Sequence, residues 1–125
     1  MLNRVILMGR LTANPEMHYT KTNGIPVIGF SLAVDRRYSK DKEKETDFIN
    51  IVAWKSTAEF VCKHFTKGQT MCVEGRLQQR KWKDDDDNIR IAYEVIAESV
   101  HFAGGYKNDE GQINEDFDPF EGEVA

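Results

Sequence analysis

Apolar and polar residues alternate at the two-residue period of a strand over most of the first 102 positions, and the period changes to a helical one in a single place. Val5, Leu7 and Leu11 alternate with Arg4, Ile6, Met8 and Arg10, so the first strand is apolar on both faces at its centre. Two-sided burial needs a second partner, which in a small all-β domain is often another copy of the chain. Asn14-Pro15-Glu16 breaks this strand, Asn23-Gly24 marks a turn that favours positive φ, and a second strand is predicted over 25–34. Residues 36–45 read as a long exposed loop whose one aromatic is Tyr38. A third strand over Thr46–Trp54 turns Ile49, Ile51 and Ala53 one way and Phe48, Asn50, Val52 and Trp54 the other. Ser56-Thr57-Ala58-Glu59 has the form of a capping box, Phe60, Val61, His64 and Phe65 then recur at helical spacing, and Gly68 supplies a stop. Thr70–Lys83 and Ile89–Phe102 form a long hairpin with the polar tip Asp84-Asp85-Asp86-Asp87-Asn88.

Three strands, one short helix and two strands is the element order of the OB-fold, a five-stranded barrel that binds single strands or sugars across one face. The expected class is therefore all-β with one helix, residues 1–105 forming one domain. With 125 residues and 40% hydrophobic content, such a domain hides about two-thirds of the surface its unfolded chain exposes. From position 104 onward Gly, Asn, Asp, Glu and Gln dominate, so 106–125 reads as a disordered acidic tail whose sole apolar cluster is Phe117, Pro119 and Phe120.

Charge divides close to the same boundary, just after Lys107. All 17 lysines and arginines lie at or before position 107, against 14 of the 21 acids, so the body carries +3 and the tail, with the other 7 acids, −7. The net −4 thus conceals a basic body compatible with a polyanionic ligand. Cys62 and Cys72 lack zinc-ligand spacing and read as reduced thiols of a cytoplasmic protein. No run is long and apolar enough for a membrane span, and the first residues carry no leader pattern. With no nucleophilic triad and no phosphate loop, the expectation is a protein that is not an enzyme and uses no metal or cofactor.

The candidate chemistry lies on strand faces. Arg76, Gln78, Arg80 and Trp82 share the parity opposite to Val73 and Leu77, which leaves a row of guanidinium, amide, guanidinium and indole facing water. Phe48 and Trp54, six residues apart on another strand, stand roughly 20 Å from each other on one face. With Tyr38 they would line a path flanked by Arg36, Arg37, Lys55, Arg76, Arg80, Lys81 and Lys83. Exposed rings among cations suit a ligand with flat rings and negative charge, and only unpaired bases offer their faces. The bland alternative places Phe48 and Trp54 in a sandwich core, but Ile49, Ile51 and Ala53 already supply that face. The aspartates at 84–87 admit two readings, a solvated turn or a carboxylate cluster for metal-dependent nucleic-acid cleavage, and divergent side-chain directions favour the turn. An RNA-binding OB module is the remaining rival.

The segments Asn3-Arg4-Val5-Ile6-Leu7-Met8-Gly9-Arg10-Leu11, Asn14-Pro15-Glu16, Phe30-Ser31-Leu32-Ala33-Val34, Lys67-Gly68 and Val73-Glu74-Gly75-Arg76-Leu77 through Arg80-Lys81-Trp82 together resemble the bacterial single-stranded DNA-binding protein family. The resemblance implies that Tyr38, Phe48, Trp54 and Trp82 occupy base-stacking positions, with Tyr38 and Phe48 standing where tryptophan is common. It further implies a homotetramer of OB-folds that coats exposed strands in replication, recombination and repair in the bacterial cytosol. Asp116-Phe117-Asp118-Pro119-Phe120 approximates the acidic Pro-Phe tip through which family members dock partner proteins, here followed by Glu121-Gly122-Glu123-Val124-Ala125.

Overall fold

In the computed structural model, which describes residues 1–37, 44–103, 106–107 and 113–114, the first strand has two neighbours. Strand β1 (Val5–Leu11) pairs antiparallel with β5 (Thr70–Lys83) from Val5↔Gly75 to Arg10↔Thr70, and its end pairs with β3 (Pro26–Asp35) at Arg10↔Ala33 and Leu11↔Leu32. Gly9 permits the changeover, since a Cβ there would run into the carbonyl oxygen of Ala33. The remaining elements are β2 (His18–Tyr19), β4 (Thr46–Trp54), α1 (Lys55–His64), β6 (Ile89–Phe102), β7 (Tyr106–Lys107) and β8 (Ile113–Asn114).

The sheet runs β1-β5-β6-β4-β3, and the β1–β3 pairing closes it into a five-stranded barrel with β2 added beside β3. All pairings are antiparallel except β4 with β6, at Ile51↔Val95 and Val52↔Ile96. This strand order, with a helix between the third and fourth barrel strands, is the OB-fold expected from the element order. Alternation fills the barrel: Leu11, Ile28, Leu32, Ile51, Val73 and Val95 point inward and are almost fully buried. Helix α1 adds Ala58 and Val61 to the same core. Phe65, just beyond the helix, stacks on Phe102 at 4.9 Å between ring centres, with Phe60 packed edge-on to both.

Several local expectations are corrected. The capping box does not form: β4 runs straight into α1 with Trp54 as an extended N-cap (φ −121°, ψ 151°) and no side-chain cap bond, so Ser56 already lies inside the first turn. The helix also ends before Gly68. It stops at His64 because Phe65 swings to extended backbone (φ −122°, ψ 142°), while Gly68, at φ +86°, donates its amide to Leu11 O at 2.8 Å. Strand β2 has only two residues, His18 opposite Val27 and Tyr19 opposite Pro26, and no periodic signal announces it. The second predicted strand begins at Pro26 and runs on to Asp35.

Within the segment read as a tail, Tyr106 pairs with Asn114 and Lys107 with Ile113. Phe117, Asp118, Pro119 and Phe120 lie outside the described residues, as does Tyr38. Among the described residues no helix is long and apolar enough to cross a membrane.

The β5–β6 hairpin divides into two parts. Up to Gly75 it is barrel wall, with Met71, Val73 and Gly75 buried. The register then shifts, Glu74 facing Ser99 and Gly75 facing Ala97, which leaves Glu98 as an extra residue on β6. Gly75 is required at this bulge, because a Cβ would collide with Ile96 O. Beyond the bulge, residues 76–83 of β5 are all exposed, while β6 keeps Val95 and Ile96 buried opposite Leu77 and Arg76 before it too becomes exposed toward the tip.

Candidate nucleic-acid interface

The outer face of β4 carries the rings that its parity assigns to it. Phe48 is 66% exposed and Trp54 41%, while Ile51 and Ala53 on the opposite face are fully buried. In the ladder with β3, Trp54 stands opposite Val27 and Phe48 opposite Ala33. On the projecting hairpin Trp82 is 40% exposed, and the Arg80 guanidinium carbon lies 4.6 Å from its ring centre. An indole left this accessible beside a cation is available to a second flat group.

Two adjoining shallow clefts, about 380 Å³ each, connect the two walls. Both are lined by Gly29, Val52, Arg80 and Glu94, so they form one groove across β3 and β4 with the hairpin along its side. His18 and Trp54 bound one end, and Ser31 and Asn50 supply polar groups at the other. Gly29 keeps the floor low: the nearest atom to a Cβ placed there is Ile51 O, at 4.0 Å. The structure therefore brings Trp54 and Arg80 to a common groove; Trp82 lies against Arg80 without lining the clefts, and Phe48 stands further along β4, also outside them.

The cations singled out in the sequence differ in how far they are engaged. Arg36 is the most committed, gripping both carboxylate oxygens of Asp47 (Nε at 3.2 and 3.0 Å) and also bonding Glu45. The Asp47 hydrogen bonds, followed by the charges of Asp47 and Glu45, raise its pKa, and Arg36 holds the Asp47 carboxyl below the ordinary carboxylate value. Arg76 reaches Glu98 and Gln78, each at 3.4 Å. Arg80 Nε lies 3.3 Å from Glu94 Oε1, and Lys83 Nζ 3.7 Å from Asp87. Among the described residues Arg37, Lys55 and Lys81 make no ion pair. The pairs of Arg36, Arg76 and Lys83 are exposed on both sides and contribute little, whereas the Glu94 partner of Arg80 is only 13% exposed.

The aspartate tip is a built turn. Asp84 Oδ1 accepts from the amides of Asp86 (3.0 Å) and Asn88 (2.9 Å), while Oδ2 accepts from Arg90 Nε at 2.8 Å. Backbone bonds from Asp84 N to Asn88 O and from Asp87 N to Asp84 O, both 3.0 Å, close it, with Asp87 at φ 63°. The Asn88 amide, then Arg90, lowers the Asp84 pKa below 3.8. Among the described residues no group of three or more His, Cys, Asp or Glu is placed to hold a metal ion. The carboxylate that would head a cleavage site is spent on the turn.

Sequence reasoning missed Glu94, His18, Gly29 and Asn50 as groove residues. Asn50 was within reach, since it shares its parity with Phe48 and Trp54. Glu94 was not, because its place beside Arg80 depends on the hairpin register: Gln78 faces Glu94, and Arg80 faces Ala92.

Comparison with known proteins bears on the whole barrel. A model of the single-strand binding protein family matches residues 2–103. The chain is 41% identical over 117 residues to single-stranded DNA-binding protein 3 of Clostridium acetobutylicum, covering 93% of this chain and 81% of that protein. It is 42% identical over 127 residues to the single-stranded DNA-binding protein of Caldanaerobacter subterraneus, with 94% and 84% covered. Against the single-stranded DNA-binding protein of Halalkalibacterium halodurans it is 47% identical over 103 residues, 82% of this chain and 61% of that one. On this evidence the chain belongs to the single-strand binding protein family.

Proposed function

We propose that this protein binds single-stranded DNA without sequence preference and protects it during replication, recombination and repair, acting by binding and not by catalysis. The observation that carries the reading is the groove on the outer wall of a closed barrel, lined by half-exposed Trp54 and by Arg80, whose guanidinium lies against the ring of Trp82. Each base stacked on such a ring contributes about 1–3 kcal/mol, and every base has a π face, so affinity does not depend on sequence. Trp54 and Trp82 are the main stacking residues, Phe48 extends the path along β4, and Tyr38 adds a further ring from the loop. Phosphates are met chiefly by Arg37, Lys55 and Lys81, and more weakly by Arg36, Arg76 and Lys83, which must first exchange their carboxylate partners.

The working unit is a homotetramer. Ile6 and Met8, 67% and 60% exposed on the outer face of β1, support self-association, because an apolar centre on a barrel strand gains from a second copy. Phe117, Asp118, Pro119 and Phe120 form the docking tip for replication and repair proteins, on the strength of their acidic Pro-Phe pattern. The place of action is the cytoplasm.

Titration with oligo-dT at several salt concentrations, followed by tryptophan emission, tests the reading. Strong quenching is expected, with log K falling against log salt at about −0.7 for each phosphate contacted. Emission unchanged at saturation rules out stacking on Trp54 and Trp82. Competition between oligo-dT and oligo-U decides against the RNA-binding alternative if dT prevails, and for it if U does.

A further inference from the structure

Glu94 occupies a position that a polyanion-binding groove should avoid. Among the described residues it is the one acid lining either cleft, its side chain is only 13% exposed, and it lies on the strand between those that carry Trp54 and Trp82. A carboxylate on the path of a phosphate chain opposes binding unless its charge is matched. Here it is matched by Arg80, whose Nε stands 3.3 Å from Oε1 across the ladder diagonal between β5 and β6. The same guanidinium lies over Trp82, with its carbon 4.6 Å from the ring centre. Arg80 and Trp82 are two residues apart on β5 and so leave the strand on one face. Carboxylate, guanidinium and indole thus form a single assembly, and Arg80, the most exposed part of it at 56%, lines both clefts together with Glu94.

We propose that Glu94 is a positioning residue that holds Arg80 over Trp82 as a stacking plate, so that Arg80 meets a base and not a phosphate. A guanidinium paired to a carboxylate has little net charge with which to draw in a phosphate, but it keeps the planar surface on which unpaired bases stack. Sequence pattern alone places Arg80 among the phosphate contacts, and the Glu94 pair reassigns it. The proposal rests on the single-strand reading above and concerns how one of its residues acts.

Salt dependence separates the two roles, because only a phosphate contact contributes about 0.7 per site to the slope of log K against log salt. Three proteins are titrated with oligo-dT from low to high salt: wild type, Glu94→Gln, and the double variant Arg80→Gln/Glu94→Gln, which removes both charges and leaves neutral amides of similar shape. The plate predicts that the double variant binds about 5-fold or more weakly at every salt concentration with the wild-type slope. It predicts that Glu94→Gln steepens the slope by up to about 0.7 per bound protomer, as the released guanidinium turns to phosphate. Thermal melts run alongside, since a merely structural role for Glu94 lowers the melting temperature and leaves the slope alone. A double variant whose slope is shallower by about 0.7 per protomer overturns the proposal by making Arg80 a phosphate anchor. So does a Glu94→Gln slope equal to that of wild type. Failure of wild type to bind oligo-dT at all refutes the single-strand reading itself, a result distinct from any difference between variants.

Discussion

Replacing Trp82 by alanine tests whether recognition can be removed without disturbing the fold. Trp82 lies on the part of β5 beyond the register shift at Glu74/Gly75, outside the buried cluster, and is 40% exposed. The change loses its contact with Arg80, which at an exposed site is worth about 0.5–1 kcal/mol, and leaves no cavity in the barrel. A stability loss of about 1 kcal/mol corresponds to about 4–8 °C in melting temperature for a domain of this size. Binding should suffer more. Losing one stacked base costs about 1–3 kcal/mol, or about 5- to 150-fold in affinity per site. Phe65→Ala is the contrasting variant, because Phe65 is almost fully buried against Phe102, and truncating such a ring costs about 3–5 kcal/mol. Oligo-dT titration on the remaining Trp54 emission, with a thermal melt of each variant, gives both quantities. A Trp82→Ala protein that melts like Phe65→Ala and binds like wild type would place Trp82 in the core and refute the reasoning.

Three further outcomes follow from single contacts. Asp84 has a folded pKa below 3.8, so its contribution to the hairpin turn is complete above the ordinary carboxylate value and is lost as pH falls through the folded one. NMR amide shifts of Asp86 and Asn88 should therefore titrate with a midpoint below 3.8, and the titration should vanish in Asp84→Asn; amides indifferent to acid would contradict the turn bonds. Gly9→Ala forces a Cβ against Ala33 O at the seam that closes the barrel, and overpacking of this kind costs about 1–3 kcal/mol in urea unfolding, so a wild-type midpoint would show that the seam is loose. Lys81→Gln should reduce the salt slope by about 0.7 and Arg36→Gln by much less, because Arg36 is already held by Asp47 and Glu45; equal changes would mean that those pairs break fully on binding.

The barrel was legible because its strands obey a strict alternation with large apolar residues on the inner face. Ile49, Ile51 and Ala53 identify the third strand and its orientation, and with it the outward direction of Phe48 and Trp54. What could not be read depends on contacts between elements. Ser56 and Glu59 match a cap by spacing, yet β4 enters α1 without a connecting residue, so the cap has nowhere to act. Arg36 looks like a free loop cation until the β3–β4 ladder, closed at Asp35↔Thr46, carries Asp47 beside it. Glu94 sits in an ordinary alternating strand and becomes part of the groove only through a register that slips by one residue at Glu98.

That slip also explains how the protein can keep stability and recognition apart. Before it, the odd-numbered residues of β5 enter the core, and any change there is paid in folding free energy. After it, the same alternation continues as the strand leaves the core: Leu77 is 47% exposed although it keeps the parity of buried Val73. The strand periodicity therefore persists while its physical meaning changes, from inside against outside to groove side against the opposite side of a free hairpin. Arg76, Gln78, Arg80 and Trp82 share one side, the side from which Arg80 lines the groove, because the backbone pairing holds them there, not because an apolar partner does. A surface built in this way can exchange cations and rings with small effect on folding, whereas Gly75, at the slip itself, cannot accept even a methyl group without moving Ile96.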